Sequence, residues 1–75
     1  MLTIEFSHID KSSTVNEYYF TVYVGERGIL FYTYRDLSGF KADKYGYENP
    51  ADFIYIGTAI LQNMEYIKEC IKTKK

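Results

Sequence analysis

Glu17-Tyr18-Tyr19-Phe20-Thr21-Val22-Tyr23-Val24-Gly25-Glu26-Arg27-Gly28-Ile29-Leu30-Phe31-Tyr32-Thr33-Tyr34 is the stretch that decides the fold. β-branched and aromatic residues fill residues 15–24 and 29–35, and a short link with a glycine at each end joins them. Such side chains pack well on a pleated, half-buried surface, and glycine accepts the positive φ of a tight link. The stretch therefore reads as an antiparallel hairpin. Taking Gly25 to Gly28 as the turn pairs Val24 with Ile29, Val22 with Phe31 and Phe20 with Thr33. Tyr23 then meets Leu30, Thr21 meets Tyr32, and Tyr19 meets Tyr34.

Strand side chains alternate with a period of two, so each parity class lies on one face. One face collects Phe20, Val22, Val24, Ile29 and Phe31. The other collects Glu17, Tyr19, Thr21, Tyr23, Leu30, Tyr32 and Tyr34. A two-residue turn would keep these two sets, whereas a three-residue turn would invert the third strand.

Upstream, Leu2, Ile4 and Phe6 alternate with Thr3, Glu5 and Ser7, which predicts a half-buried strand over 2–9. His8 falls on the apolar side near its end. The polar run Asp10-Lys11-Ser12-Ser13-Thr14 breaks the strand as a turn. Downstream, Asp36-Leu37-Ser38-Gly39 reads as another turn. Residues 40–47 read as a short fourth strand at 40–43 or as irregular chain pinned by aromatics, the strand being favoured.

Asn49-Pro50 opens a helix over 50–72. Asn49 caps it, Pro50 suits a position whose N–H needs no partner, and Asp52 faces the positive end of the helix dipole. At 100° per residue, Phe53, Ile56, Gly57, Ile60, Met64, Ile67 and Ile71 form one stripe, flanked by Ile54 and Leu61. Thr58, Gln62, Glu65 and Glu69 lie opposite. A rod of ~33 Å with one apolar stripe needs a sheet to lie on. The expected fold is a single α+β domain spanning 1–75. Its antiparallel sheet has three or four strands in β-β-β-(β)-α order, with one long C-terminal helix on one face.

Length and charge bound the function. Seventy-five residues hold one core. A net charge of −1 lacks the basic footprint of a dedicated nucleic-acid binder. A single cysteine excludes a disulfide framework and fits a reducing compartment. The N-terminus has no basic lead-in or apolar run of a secretory signal, and no stretch is long enough to span a membrane. The expected location is cytoplasmic, and the chain reads as a complete small gene product. Phe, Tyr, Ile, Asn and Lys far outnumber Gly, Ala, Arg and Pro, which points to an AT-rich genome.

Chemistry is sparse. His8 and Asp10 read as boundary residues at a sheet edge and not as an acid/base pair. Neither Ser7, Ser12 nor Ser13 has a base and oxyanion hole to work with. The carboxylates lack metal-loop or glycosidase spacing, and His8 with Cys70 would need two further metal ligands. Cys70 reads as a packing residue, Glu26 and Arg27 as a solvated hairpin tip, and Gly57 as a point of close approach between helix and sheet. The chain is thus expected to be no enzyme and to bind no metal or cofactor.

What stands out is aromatic content: nine Tyr and five Phe. One helix covers one face, so the second face is left bare. Tyrosine supplies stiff, amphipathic contact area at small entropy cost. Glu17, Tyr19, Thr21, Tyr23, Leu30, Tyr32 and Tyr34 are therefore the expected partner-binding residues. The bland alternative is that these rings only stabilise a thin sheet. In size and plan the chain resembles the small stand-alone α+β proteins that phages and mobile elements encode to block host enzymes, anti-CRISPR proteins among them. That likeness covers no motif and transfers no residue; it implies inhibition of a larger host protein by binding and occlusion. A homodimer through the same face is the second reading. Single-stranded nucleic-acid binding comes third, and an enzyme last. No membrane partner is expected.

Overall fold

In the computed structural model, residues 1–11, 15–42 and 49–74 are described. Four strands, β1 (Thr3–Asp10), β2 (Glu17–Val24), β3 (Arg27–Tyr34) and β4 (Phe40–Ala42), precede two helices, α1 (Pro50–Gln62) and α2 (Met64–Thr73). The sheet is an antiparallel meander in the order β1-β2-β3-β4. The fourth strand is real but only three residues long. Asp43, the last residue expected in it, lies outside the described residues, as do Ser12, Ser13 and Thr14.

The hairpin turn is tighter than expected. Val24 pairs with Arg27, so Gly25 and Glu26 alone make the turn, and Gly25 carries φ 61. Glycine at the first central position with positive φ is what a type II′ turn requires, and that turn matches the natural twist of the strands. The register consequently slides by two: Val22 meets Ile29, Phe20 meets Phe31, Thr21 meets Leu30 and Tyr19 meets Tyr32. An even slide leaves every residue on its expected face. Gly28 is a strand residue opposite Tyr23; a Cβ there would stand 3.1 Å from the Thr21 methyl.

Strand β1 departs from simple alternation. Phe6 pairs with Phe20 but His8 pairs with Tyr19, so a bulge at Ser7 shifts the parity. Ile9, opposite Tyr18, turns to the core, and His8 turns to the other face, against its expected apolar placement.

The core lies between the sheet and the helices. Tyr18, Phe20, Val22 and Phe31 are wholly buried, with Ile4, Ile29, Ile56, Ala59, Ile60, Ile67, Cys70 and Ile71 around them. Phe20 is central: its ring stacks on Phe31 at 5.5 Å and meets the edge of Phe6 at 5.6 Å. Aromatic pairs of this kind add about 0.5–1.5 kcal/mol beyond their area. Tyr18 shares the parity of Phe20, and its buried hydroxyl accepts a 3.4 Å bond from Arg35 Nη1.

The expected single helix is two. Asn49 caps α1 as expected, its Oδ1 accepting from the Ala51 N–H at 2.9 Å. At Asn63 the backbone leaves helical values, with φ −125 and ψ 23. The main chain of Leu2 explains the break. Its N–H donates to Gln62 Oε1 at 2.7 Å, and its carbonyl accepts from Asn63 Nδ2 at 3.0 Å. These two bonds tie the chain just before β1 to the helix break.

The buried stripe also differs from the expected one. It runs through Asp52, Ile56, Ala59, Ile60, Ile67, Cys70 and Ile71, while Phe53 and Gly57 are exposed. That is a rotation of roughly 60° on a wheel of 100° per residue. Two polar residues cause it. Asp52 is 1% exposed and accepts both its bonds from Arg27 Nη2, at 2.8 and 3.0 Å. Asn63 serves Leu2 from the same side. Arg27 is therefore no idle tip: it ties the start of β3 to the first turn of α1.

Candidate functional site

The tyrosine face is built by the pleat of β2 and β3. Glu17, Tyr19, Thr21, Leu30, Tyr32 and Tyr34 are half-buried and Tyr23 is 41% exposed, so the whole predicted set lies together on one face. The helices pack on the opposite face through the core residues named above. Among the described residues no helix covers the tyrosines.

Three rings run across the sheet as a stack. His8 lies 4.5 Å from Tyr19 with planes 8° apart, and Tyr19 lies 4.9 Å from Tyr32 with planes 28° apart. These spacings match the ~4.8 Å between neighbouring strands. Each ring turns its flat face to the next. Tyr34 closes on Tyr32 edge-on at 6.1 Å. Lys41, opposite Tyr32 on β4, places its Nζ 5.6 Å above the Tyr34 ring. The row therefore ends in a cation, with the carboxylates of Glu5 and Glu17 on the same face.

The electrostatics follow from this packing. Burial, with the neighbouring Tyr34 and Glu17, pushes the Tyr32 phenol above its ordinary value. A hydrogen bond with Tyr34, together with nearby phenols, raises the Lys41 ammonium. Both shifts favour the protonated forms, a neutral Tyr32 and a charged Lys41. What such a face offers is a ridge of ring edges and hydroxyls beside charges of both signs.

Sequence reasoning missed two members, His8 and Lys41. The bulge that turns His8 outward shows in the sequence only as a break of parity, because the apolar residue after Leu2, Ile4 and Phe6 is Ile9 and not residue 8. Lys41 needed the β3–β4 register. That register is locked by Thr33, whose Oγ1 donates to the Gly39 carbonyl at 2.6 Å, and by Leu37 at φ 59, whose N–H reaches the Tyr34 carbonyl at 2.9 Å.

Other chemistry stays scattered. Ser7 Oγ lies 2.8 Å from His8 Nδ1. Among the described residues no group of three or more His, Cys, Asp or Glu is placed to hold a metal ion, and Cys70 is buried. A cavity of about 440 Å³ is lined by Val15, Tyr34, Arg35, Asp36 and Ser38, and one of about 280 Å³ by Arg35, Leu37, Lys68, Ile71 and Lys72. Among the described residues no helix is long and apolar enough to cross a membrane. No family model, curated protein or solved structure matches the chain.

Proposed function

We propose that this protein is a non-catalytic recognition module that binds a larger protein through its tyrosine face and occludes that partner's working surface. The observation that carries the reading is the row His8–Tyr19–Tyr32, on the sheet face opposite the described helices and ended by Lys41. Rigid aromatic area with a polar rim is the composition of protein interfaces, and stacked rings lose little freedom on binding. The resemblance in plan to phage and mobile-element inhibitors makes a cytoplasmic host enzyme the expected partner.

The same geometry counts against single-stranded nucleic acid. Binders of that class present ring faces for bases to stack on and surround them with Lys and Arg. Here Tyr19 is stacked between His8 and Tyr32, and Lys41 at the end of the row is balanced by Glu5 and Glu17 on the same face.

A matched pair of captures tests the proposal. The wild-type chain and the double variant Tyr19→Ser/Tyr32→Ser are used as bait in host lysate, with circular dichroism of both. A protein retained by the wild type and lost with a folded variant is the expected result. Losing two ring contacts costs about 1–3 kcal/mol, which a domain of this size survives. A variant that is folded and retains the same proteins, or one that unfolds outright, defeats the reading in favour of rings that merely hold the sheet together.

A further inference from the structure

Arg35, Lys68 and Lys72 line one cavity of about 280 Å³ together with the apolar Leu37 and Ile71. Lys68, Ile71 and Lys72 stand at i, i+3 and i+4 on α2, so they share one helix face. Arg35 comes from the chain just past β3, before Leu37 turns the backbone at φ 59. Its Nη1 donates to the hydroxyl of the wholly buried Tyr18 at 3.4 Å, which anchors the guanidinium to the core. A guanidinium offers several further N–H donors, and among the described residues no other acceptor takes one.

The chain supplies these cations with no counter-charge. Glu65 and Glu69 stand close by on α2, and Asp36 follows Arg35 in sequence. Yet the Asp36 carboxylate accepts from the Ser38 N–H at 3.0 Å, and among the described residues no carboxylate lies within ion-pair distance of Arg35, Lys68 or Lys72. Like charges at i, i+4 destabilise a helix. The negative C-terminal end of α2 compensates Lys72, which lies in its last turn. That influence fades before Lys68 and does not account for Arg35. The net charge of the whole chain is −1, so this gathering of cations is local.

We propose that the cavity binds a small phosphate monoester, with its phosphoryl oxygens held by Arg35, Lys68 and Lys72 and its apolar body against Leu37 and Ile71. Charge selects the phosphate. A phosphate monoester carries about −1.5 to −2 charge at pH 7 and several strong acceptor oxygens, a closer match to three cations than a carboxylate. The guanidinium fork also fits two of those oxygens at once. Size selects a small ligand, because the cavity lies just below the ~300–1,000 Å³ of small-molecule sites. A nucleic-acid backbone requires cations strung along a groove, whereas these gather around one apolar-walled cavity. The lining shares no residue with the tyrosine set, so the two proposals are independent.

Titration of the isotope-labelled chain with phenyl phosphate and with inorganic phosphate at fixed ionic strength, followed by amide NMR shifts, tests the site. Saturable shifts are expected at Leu37, Lys68, Ile71 and Lys72, with half-saturation by phenyl phosphate near ~1 mM. Inorganic phosphate, lacking the apolar body, should bind roughly threefold more weakly. Arg35→Met should weaken phenyl phosphate about tenfold, and Lys68→Gln and Lys72→Gln about threefold each. Circular dichroism checks folding, and the lysine variants, both at exposed positions, carry the test if Arg35→Met unfolds. Lys74→Gln removes the same charge from a side chain whose Nζ lies 5.2 Å above the Phe6 ring, and it should leave binding unchanged. No saturable shift by roughly 20 mM phenyl phosphate, or shifts centred on Tyr19 and Tyr32, would overturn the proposal. So would a loss in Lys74→Gln equal to that in Lys68→Gln, which would show attraction by net charge alone. A single-stranded oligonucleotide or a phosphopeptide held by the same residues at least about tenfold more tightly than phenyl phosphate would overturn it in favour of a macromolecular ligand.

Discussion

Asp52 and Arg27 show how one pair of residues redirects an element. A carboxylate 1% exposed cannot be hydrated, so its charge is tolerated only because Arg27 Nη2 spans both oxygens. The guanidinium itself is 54% exposed. Removing either partner is therefore not equivalent. Arg27→Met strands a buried carboxylate and should lower the melting temperature by at least about 5 °C, on the scale of 4–8 °C per kcal/mol for a domain this size. Asp52→Asn leaves a guanidinium that water can reach and should cost less; thermal melts of the two variants give the order directly. None of this was legible in the sequence, where Asp52 read as a dipole partner and Arg27 as a hairpin tip. Their contact spans 25 residues. Local pattern carries no trace of it.

At the scale of elements, the bend at Asn63 is the most informative feature. Asn63 Nδ2 bonds both the Leu2 carbonyl and the Ala59 carbonyl, at 3.0 and 2.9 Å. Asn63→Ala removes both bonds at a net cost of about 1–2 kcal/mol, offset in part by the better helix propensity of alanine. The expected outcome is a modest fall in melting temperature together with faster amide hydrogen exchange at the start of β1. Unchanged protection there would mean that Gln62 and Tyr66, which accept from the Leu2 and Phe6 N–H groups, hold the strand without Asn63. The start of α1 was readable, because the Asn-Pro cap is satisfied within three residues. Its interruption was not, because the partner of Asn63 lies 61 residues away. The rotated stripe has the same origin: a hydrophobic wheel discounts polar residues, and here two satisfied polar residues face inward.

For the whole molecule, the shortest extent is 20 Å, which is what one sheet and one helix layer occupy. Two layers leave two outer surfaces, the tyrosine face and the back of α1. The former links stability to pH. Burial raises the Tyr32 phenol above its unfolded value near 10, and the hydrogen bond with Tyr34 raises the Lys41 ammonium. For both, the folded-state value exceeds the unfolded one. Their stabilisation is therefore complete below the unfolded values and is lost as pH rises through the folded ones. Denaturant midpoints should fall above about pH 10, and Tyr32→Phe should make that alkaline fall shallower. An equally steep fall in the variant would move the effect away from this face.

The sequence alone determined the two faces of the hairpin and the start of α1. Alternation is a property of the strand itself, and an Asn-Pro cap satisfies its own backbone, so neither waits for a distant partner. Tertiary structure alone decided the turn length, the bulge that turns His8 outward, the bend at Asn63 and the rotation that leaves Ile54 and Leu61 in water. Apart from the turn, which Gly25 sets locally, each of these sets one segment against another far along the chain, and the balance between them is struck only when the sheet and helices close on a shared core.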